Sequence, residues 1–255
     1  MPRIIEDDWK YQLYNEDCFE TFKRIPDGSI DLVLVDPPYG TTACKWDSII
    51  PLDRMWKEIK RVGKSNCAFV FTASQPFTSV LTLSEIKLFR YSLVWDKVNK
   101  YTGALNANKM PLRCHEDISV FYSSLPTYNK QYREGKPYKT KRTTGHGKHT
   151  QYGEIAEVRL GENTGLHNPC SIIQIEGDVK IECGLHPTQK PVLLMEYLIK
   201  TYSNEGNTVL DFAFGSGTTG VACGNLNRKF IGCDSDKEHG YFQIAQQRIK
   251  AAYQK

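Results

Sequence analysis

Short apolar runs and amphipathic stretches alternate along most of the chain. The runs Tyr11 to Asn15, Ile30 to Val35, Cys67 to Thr72, Tyr91 to Trp95 and Asp117 to Tyr122 have the length and β-branched or aromatic content of strands. Between the first four lie stretches with apolar residues at helical spacing, about Cys18 to Arg24, Leu52 to Val62 and Pro76 to Leu88. The pattern resumes near the end with a helix from about Pro191 to Tyr202 and a strand from Thr208 to Phe212. A helix from about Thr218 to Leu226, a strand from Lys229 to Cys233 and a last helix to about Tyr253 follow. Such alternation predicts an α/β fold, a mostly parallel sheet with helices on both faces.

Between residues 123 and about 180 the alternation stops, leaving a polar, glycine-containing, basic segment with weak strand signals at Ile155 to Leu160 and Cys170 to Ile175. The expected organisation is therefore a first core half over 1–122, an insertion over 123–180 and a second core half over 181–255.

At 255 residues, 40% apolar and 24% charged, the chain can bury a substantial core without staples. No stretch approaches the roughly 18 apolar residues of a membrane span, and MPRIIEDDWK lacks the apolar core of a secretory signal. A cytoplasmic protein without membrane contact is expected. The eight cysteines form no C-x-x-C pair, which suits reduced, packed thiols. His146 and His149, with Cys170 and Cys183 downstream, match no common zinc spacing, so no metal is expected.

Net charge is only +4, but Pro126 to Thr150 holds seven Lys or Arg against the single acid Glu134. Tyr128, Tyr132 and Tyr138 are interleaved with those cations, a pattern suited to phosphate contact and stacking on nucleic acid. A solvated loop has the same composition.

Two loops carry candidate chemistry. The strand Ile30 to Val35 runs into Asp36-Pro37-Pro38-Tyr39-Gly40, where a carboxylate, a proline-fixed backbone carbonyl and an aromatic face could grip a flat ring bearing an amino group. Such a grip suits chemistry on an extruded nucleobase. The strand Thr208 to Phe212 runs into Asp211-Phe-Ala-Phe-Gly-Ser-Gly-Thr-Thr-Gly220, in which Gly215, Gly217 and Gly220 satisfy G-x-G-x-x-G, and Asp234 follows the next strand. A dinucleotide-binding dehydrogenase would open with this loop, yet only 35 residues follow Gly220 here. The nucleoside-binding half must then come last and the half bearing Asp36 first, a permuted sheet whose two loops meet at the carboxyl ends of neighbouring strands. Asp211 in the loop also suits a cationic ligand end better than a pyrophosphate.

With both loops placed, nearly the whole chain resembles the β-class of S-adenosylmethionine-dependent amino DNA methyltransferases. The catalytic D/N/S-P-P-Y/F motif matches Asp36 to Tyr39, and the cofactor loop D-P-F-x-G-S-G-T-T is similar to Asp211 to Thr219. The H-x-T-Q-K-P signature matches His186 to Pro191. Glu16-Asp17-Cys18, Phe230 to Asp234 and His115 to Ile118 resemble the family's G-D-C, F-I-G-x-E and H-E-x-I/V segments. Phe212, Glu16 and Asp234 depart from the usual proline, glycine and glutamate.

The resemblance implies a permuted Rossmann-like methyltransferase fold with a seven-stranded sheet. It implies S-adenosylmethionine as cofactor, with Asp234 on the ribose hydroxyls and Asp17, beside Cys18, on the adenine amino group. The backbone of Phe214, Gly215 and Ser216 would line the methionine portion, Asp211, Gly217 and Thr218 would also belong to the cofactor site, and Thr188, Gln189 and Lys190 would close over it. Asp36 and the Pro37 carbonyl would accept from the target amine, with Pro38 fixing the turn and Tyr39 stacking on the base. Duplex DNA would be the partner, with Lys130, Arg133, Lys139, Lys141 and Arg142 as contacts. A homodimer and a restriction endonuclease acting on the same site are both compatible with the family. The acidic first residue of D-P-P-Y favours adenine N6 over cytosine N4. An RNA or protein-glutamine substrate, an NAD-dependent oxidoreductase and a silent DNA-binding protein are the competing readings. Trp46 stays open between clamping the target strand and packing.

Overall fold

A computed structural model describes residues 9–40, 48–139, 162–176, 189–235 and 240–254. Two compact units are present, one made of 1–129 and 171–255, the other of 130–170.

The larger unit is built on an eight-stranded sheet. In chain order its strands are β1 (Tyr11–Tyr14), β2 (Ile30–Val35), β3 (Gly63–Ala73), β4 (Phe89–Asp96) and β5 (His115–Phe121), then β10 (Ile172–Gln174), β11 (Thr208–Asp211) and β12 (Lys229–Cys233). In space the order is β1-β12-β11-β2-β3-β5-β4-β10. Every pairing is parallel except those of β5, which runs antiparallel to both β3 and β4. The sheet has one strand more than the seven expected, because β10 adds to the β4 edge in the register Ile172 to Val94.

Side-chain alternation along the strands divides the core in two, since successive residues point to opposite faces. From β2 and β3, Val33, Val35, Phe69 and Phe71 join one apolar cluster, while Leu32, Leu34, Ala68 and Val70 join the other. The first cluster is covered by α1 (Cys18–Phe22), α2 (Leu52–Val62) and α3 (Phe77–Ser84), through Phe22, Trp56, Ile59, Phe77 and Leu81. The second is covered by α4 (Val192–Tyr202), α5 (Thr218–Asn225) and α6 (Tyr241–Tyr253), through Leu198, Cys223 and Ile249. Trp56 is the anchor of α2: its ring meets Phe71 and Phe121 edge-on or tilted, and its indole N–H donates to Ser84 Oγ at 2.7 Å. The ring is thereby buried without leaving its polar atom unpaired. Helix α3 is shorter than expected, ending at Ser84.

This topology places the last βαβ unit, β11-α5-β12, between β1 and β2. The helix after β11 covers one face and the helix before β3 the other, so β11 and β2 flank the switch point where an open α/β sheet leaves a crevice.

The smaller unit consists of two short antiparallel ladders. Strand β6 (Arg133–Glu134) pairs with β9 (Leu166–His167), and β7 (Tyr138–Lys139) pairs with β8 (Glu162–Asn163). Gly165 sits at φ +103, and a side chain there would also meet the Gly135 carbonyl at 2.9 Å. The segment Ile155 to Leu160 lies outside the described residues. No helix among the described residues is long and apolar enough to cross a membrane.

Candidate active site

The strand ends converge on one edge of the sheet. Asp36 follows β2, Thr72 lies near the end of β3, Asp211 ends β11 and Asp234 follows β12. Because β5 runs the other way, its first residues, His115 and Glu116, reach that same edge.

Around Asp36 the hydrogen bonds are dense. The Tyr39 hydroxyl donates to Asp36 Oδ1 at 2.6 Å and the Thr72 hydroxyl donates to the same oxygen at 2.5 Å. Lys190 Nζ donates to Asp36 Oδ2 at 2.6 Å. Tyr39 also stacks on Phe77, with centroids 5.4 Å apart and planes 23° from parallel. Burial, and then the Asp36 charge, pushes the Tyr39 phenol well above its ordinary pKa, so it stays a donor. Burial alone would lower the Lys190 value, but Asp36, Tyr39 and Glu116 outweigh it and hold the ammonium well above the usual lysine range. Asp36 keeps 24% of its side chain exposed against 7% for Lys190, so the carboxylate is the member a substrate can reach.

The glycine loop is tied down from several sides. Gly215 N donates to Asp234 Oδ2 at 2.8 Å, and Phe214 N donates to the Cys233 carbonyl at 3.3 Å. Ser216 Oγ donates to Gln189 Oε1 at 3.0 Å, and Arg248 of α6 donates to the Ser216 carbonyl at 2.6 Å. Gly217 is at φ +81 as the N-cap of α5, and Thr218 opens that helix, buried. Gly220 has a different reason for being glycine: a Cβ there would lie 2.5 Å from Ile249 Cδ1, so this position lets α5 and α6 touch. Phe214 points into the core beside Phe230 and Phe242.

Asp211 is 2% exposed, and burial raises its pKa to about 7, against hydrogen bonds from Thr219 and Ala213 N. The Asp36 and Asp234 charges raise it further. A buried carboxylate in that condition fits a cationic group, and S-adenosylmethionine carries two, its sulfonium and its ammonium. Asp17 caps α1, with Oδ1 accepting from Phe19 N at 2.8 Å, and Cys18 is buried behind it with a thiol pushed to about 12 by burial.

Gln189 and Lys190 therefore stand at different loops, Gln189 on Ser216 and Lys190 on Asp36. Thr188 lies outside the described residues, as do Lys141, Arg142, Trp46, His146 and His149. Lys130, Arg133 and Lys139 belong to the smaller unit and are exposed; Lys139 pairs with Glu162 at 2.7 Å, and Arg133 Nε donates to the Asn168 carbonyl at 3.3 Å. Thr72, Lys97 and Arg248 escaped sequence reasoning. Thr72 is a lone hydroxyl in an apolar run, whereas Lys97 and Arg248 carry no local signal at all.

Comparison with known proteins agrees with this geometry. A family model described as DNA methylase, of the N6/N4 methyltransferases, matches residues 30–247. The Type II methyltransferase M2.DpnII of Streptococcus pneumoniae is 50% identical, over 95% of this chain and 90% of its own. The solved structure of an M1.HpyAVI complex with S-adenosylmethionine superposes with a TM-score of 0.62 at 25% identity, covering 93% of this chain and 99% of that one. The cytosine-N4-specific PvuII DNA methyltransferase shares the fold, with a TM-score of 0.65 at 17% identity over 96% of this chain and 92% of its own. An Asp-Pro-Pro-Tyr turn and a glycine loop at neighbouring strand ends, in this permuted order and under a family match over most of the length, identify the chain as a member of the N6/N4 DNA methylase family.

Proposed function

We propose that the protein is a site-specific DNA methyltransferase of Type II kind that methylates adenine N6 in duplex DNA, with S-adenosylmethionine as methyl donor. The observation that carries this reading is the adjacency of β2 and β11, which brings the Asp36 carboxylate and the glycine loop of Asp211 to one crevice. When bound, the donor supplies an electrophilic methyl group. Asp211 balances its positive charge, Asp234 serves the ribose side, and Gln189 with Ser216 closes the loop. Asp17 and Cys18 line the adenine end.

The difficulty lies with the nucleophile, an aromatic amine whose lone pair is delocalised into its ring. Asp36 and the Pro37 carbonyl accept its two N–H hydrogens and localise that pair, while Pro38 fixes the turn. Positioning and charge placement account for most of the acceleration. Tyr39, braced on one side by Phe77, offers its other face to the base. Extruding the base costs a few kcal/mol, which contacts from the cations of 130–142 and stacking offset. An aspartate at the head of the turn favours adenine, since cytosine-N4 enzymes of the family more often carry serine.

Nucleoside mass spectrometry of DNA treated with the pure protein and S-adenosylmethionine tests the reading. N6-methyladenine is expected; N4-methylcytosine without methyladenine would refute the adenine assignment. Titration with NAD in parallel separates the oxidoreductase reading, and direct sequencing of the modified bases reports the recognition site.

A further inference from the structure

Behind Asp36 lies a row of buried side chains of alternating charge that the reaction scheme above leaves unused. Lys97, 8% exposed, sits 2.6 Å from Glu116 Oε1, and its ammonium also lies 5.2 Å from the Trp95 ring centroid. Glu116 Oε2 lies 3.2 Å from Lys190 Nζ, and Lys190 in turn donates to Asp36 Oδ2 at 2.6 Å. Glu116 Oε2 is fully buried and makes no hydrogen bond among the described residues. Lys190 therefore stands between two carboxylates and is bonded to one of them.

Lone-pair counting shows what this arrangement does. Asp36 Oδ1 already receives the hydroxyls of Tyr39 and Thr72, which fills its two acceptor directions. The oxygen left for an incoming amine is Oδ2, where the Lys190 ammonium is. Oδ2 keeps a second acceptor direction, so an incoming amine shares this oxygen with the Lys190 ammonium, and the two N–H donors divide its charge between them. As the amine attacks, its nitrogen becomes positive, so an ammonium shared with the same carboxylate repels the developing charge.

We propose that Glu116 is a positioning residue that takes Lys190 away from Asp36 when the target amine enters, exposing the full Asp36 charge to the reacting nitrogen. Lys97 aims Glu116 for that exchange. In the free enzyme the Lys190 ammonium is a placeholder that keeps Asp36 oriented and its charge compensated. This deepens the methyl-transfer reading and rests on it.

Two measurements test the exchange. The first uses E116Q and E116Q/K97M; the single variant leaves two lysines facing one carboxylate, whereas the double variant restores charge balance without restoring the receiving oxygen pair. The double variant should melt and bind S-adenosylmethionine as the wild type does, yet methylate DNA in a single turnover at least about tenfold more slowly, at saturating DNA and with half-saturation little changed. A wild-type rate in that variant would mean that Glu116 only balances Lys97, and would overturn the proposal. The second uses the unaltered protein and the coupling across the hydrogen bond of the labelled Lys190 ammonium. It should report the Asp36 carboxyl in the free enzyme and the Glu116 carboxyl in the complex with target DNA and S-adenosylhomocysteine. Coupling to Asp36 in both states overturns the proposal even where a variant fails to fold. Absence of wild-type turnover on DNA would remove the methyl-transfer reading together with this one, while an active wild type beside a fully active double variant removes this one alone.

Discussion

Asp211→Asn changes one atom and removes one buried charge, which makes its effect calculable. The Asp211 carboxyl, 2% exposed, is raised from 3.8 to about 7, chiefly by burial. Below the unfolded value the group is protonated in both states and costs nothing. As pH rises from about 4 to about 7 the unfolded chain ionises first, so stability falls, and above the folded value the loss is constant. At about 1.4 kcal/mol per pH unit of displacement the full loss is about 4 kcal/mol, an upper bound because interiors relax around a charge. Asparagine keeps an acceptor for Ala213 N and Thr219 and carries no charge. Urea unfolding of both proteins without cofactor, at pH 5 and pH 8, checks this. The advantage of the variant should grow by about 2 kcal/mol between the two pH values. Cofactor binding should show the mirror image: wild-type affinity for S-adenosylmethionine rises through pH 7 as Asp211 ionises, and the variant binds weakly at every pH. A stability difference that does not change with pH, or a variant less stable at pH 8, would refute the assigned burial of Asp211.

Three further outcomes follow from the geometry. Asp36→Ala should bind S-adenosylmethionine with unchanged affinity in calorimetry and lose methyl transfer by about a thousandfold, the scale of removing a preorganised charge from a reacting centre. Gly220→Ala should lower unfolding stability by about 1–3 kcal/mol through the clash with Ile249, measured by denaturant, with partial recovery in G220A/I249V. Arg248→Ala, which removes a charge-assisted bond to the Ser216 carbonyl, should weaken cofactor binding about tenfold while leaving the rate at saturating cofactor near wild type.

Periodicity carried the fold because apolar residues in the strands and helices bury in layers, and layers demand a repeat. Strand β2 and helices α2 and α4 fall close to the expected ranges for that reason. The ladders β6 to β9 were invisible because strands of two residues, none of them buried, have no buried face to imprint. The loops of the site were legible, since proline pairs and glycines are backbone requirements written into residue type. Partnership within the site was less so. Nothing local distinguishes Lys190 as an Asp36 neighbour from Lys190 as a cofactor contact, because the pairing spans 154 positions. Likewise Gly220 reads as a nucleotide glycine in sequence, while its neighbour across α6 supplies a packing reason.

The permuted strand order also bears on how the chain is made. Strand β2, five of whose six residues are buried, needs β11 along one side, and β11 is synthesised some 170 residues later. Until then the growing chain carries the Asp36 to Tyr39 turn on a sheet with an open, apolar edge at its future centre. Such an edge invites pairing with any other extended chain. The order that puts the glycine-loop half after the Asp36 half thus couples completion of the site to closure of that edge, and makes the interval before β11 is synthesised the one in which this protein most needs protection from its own copies.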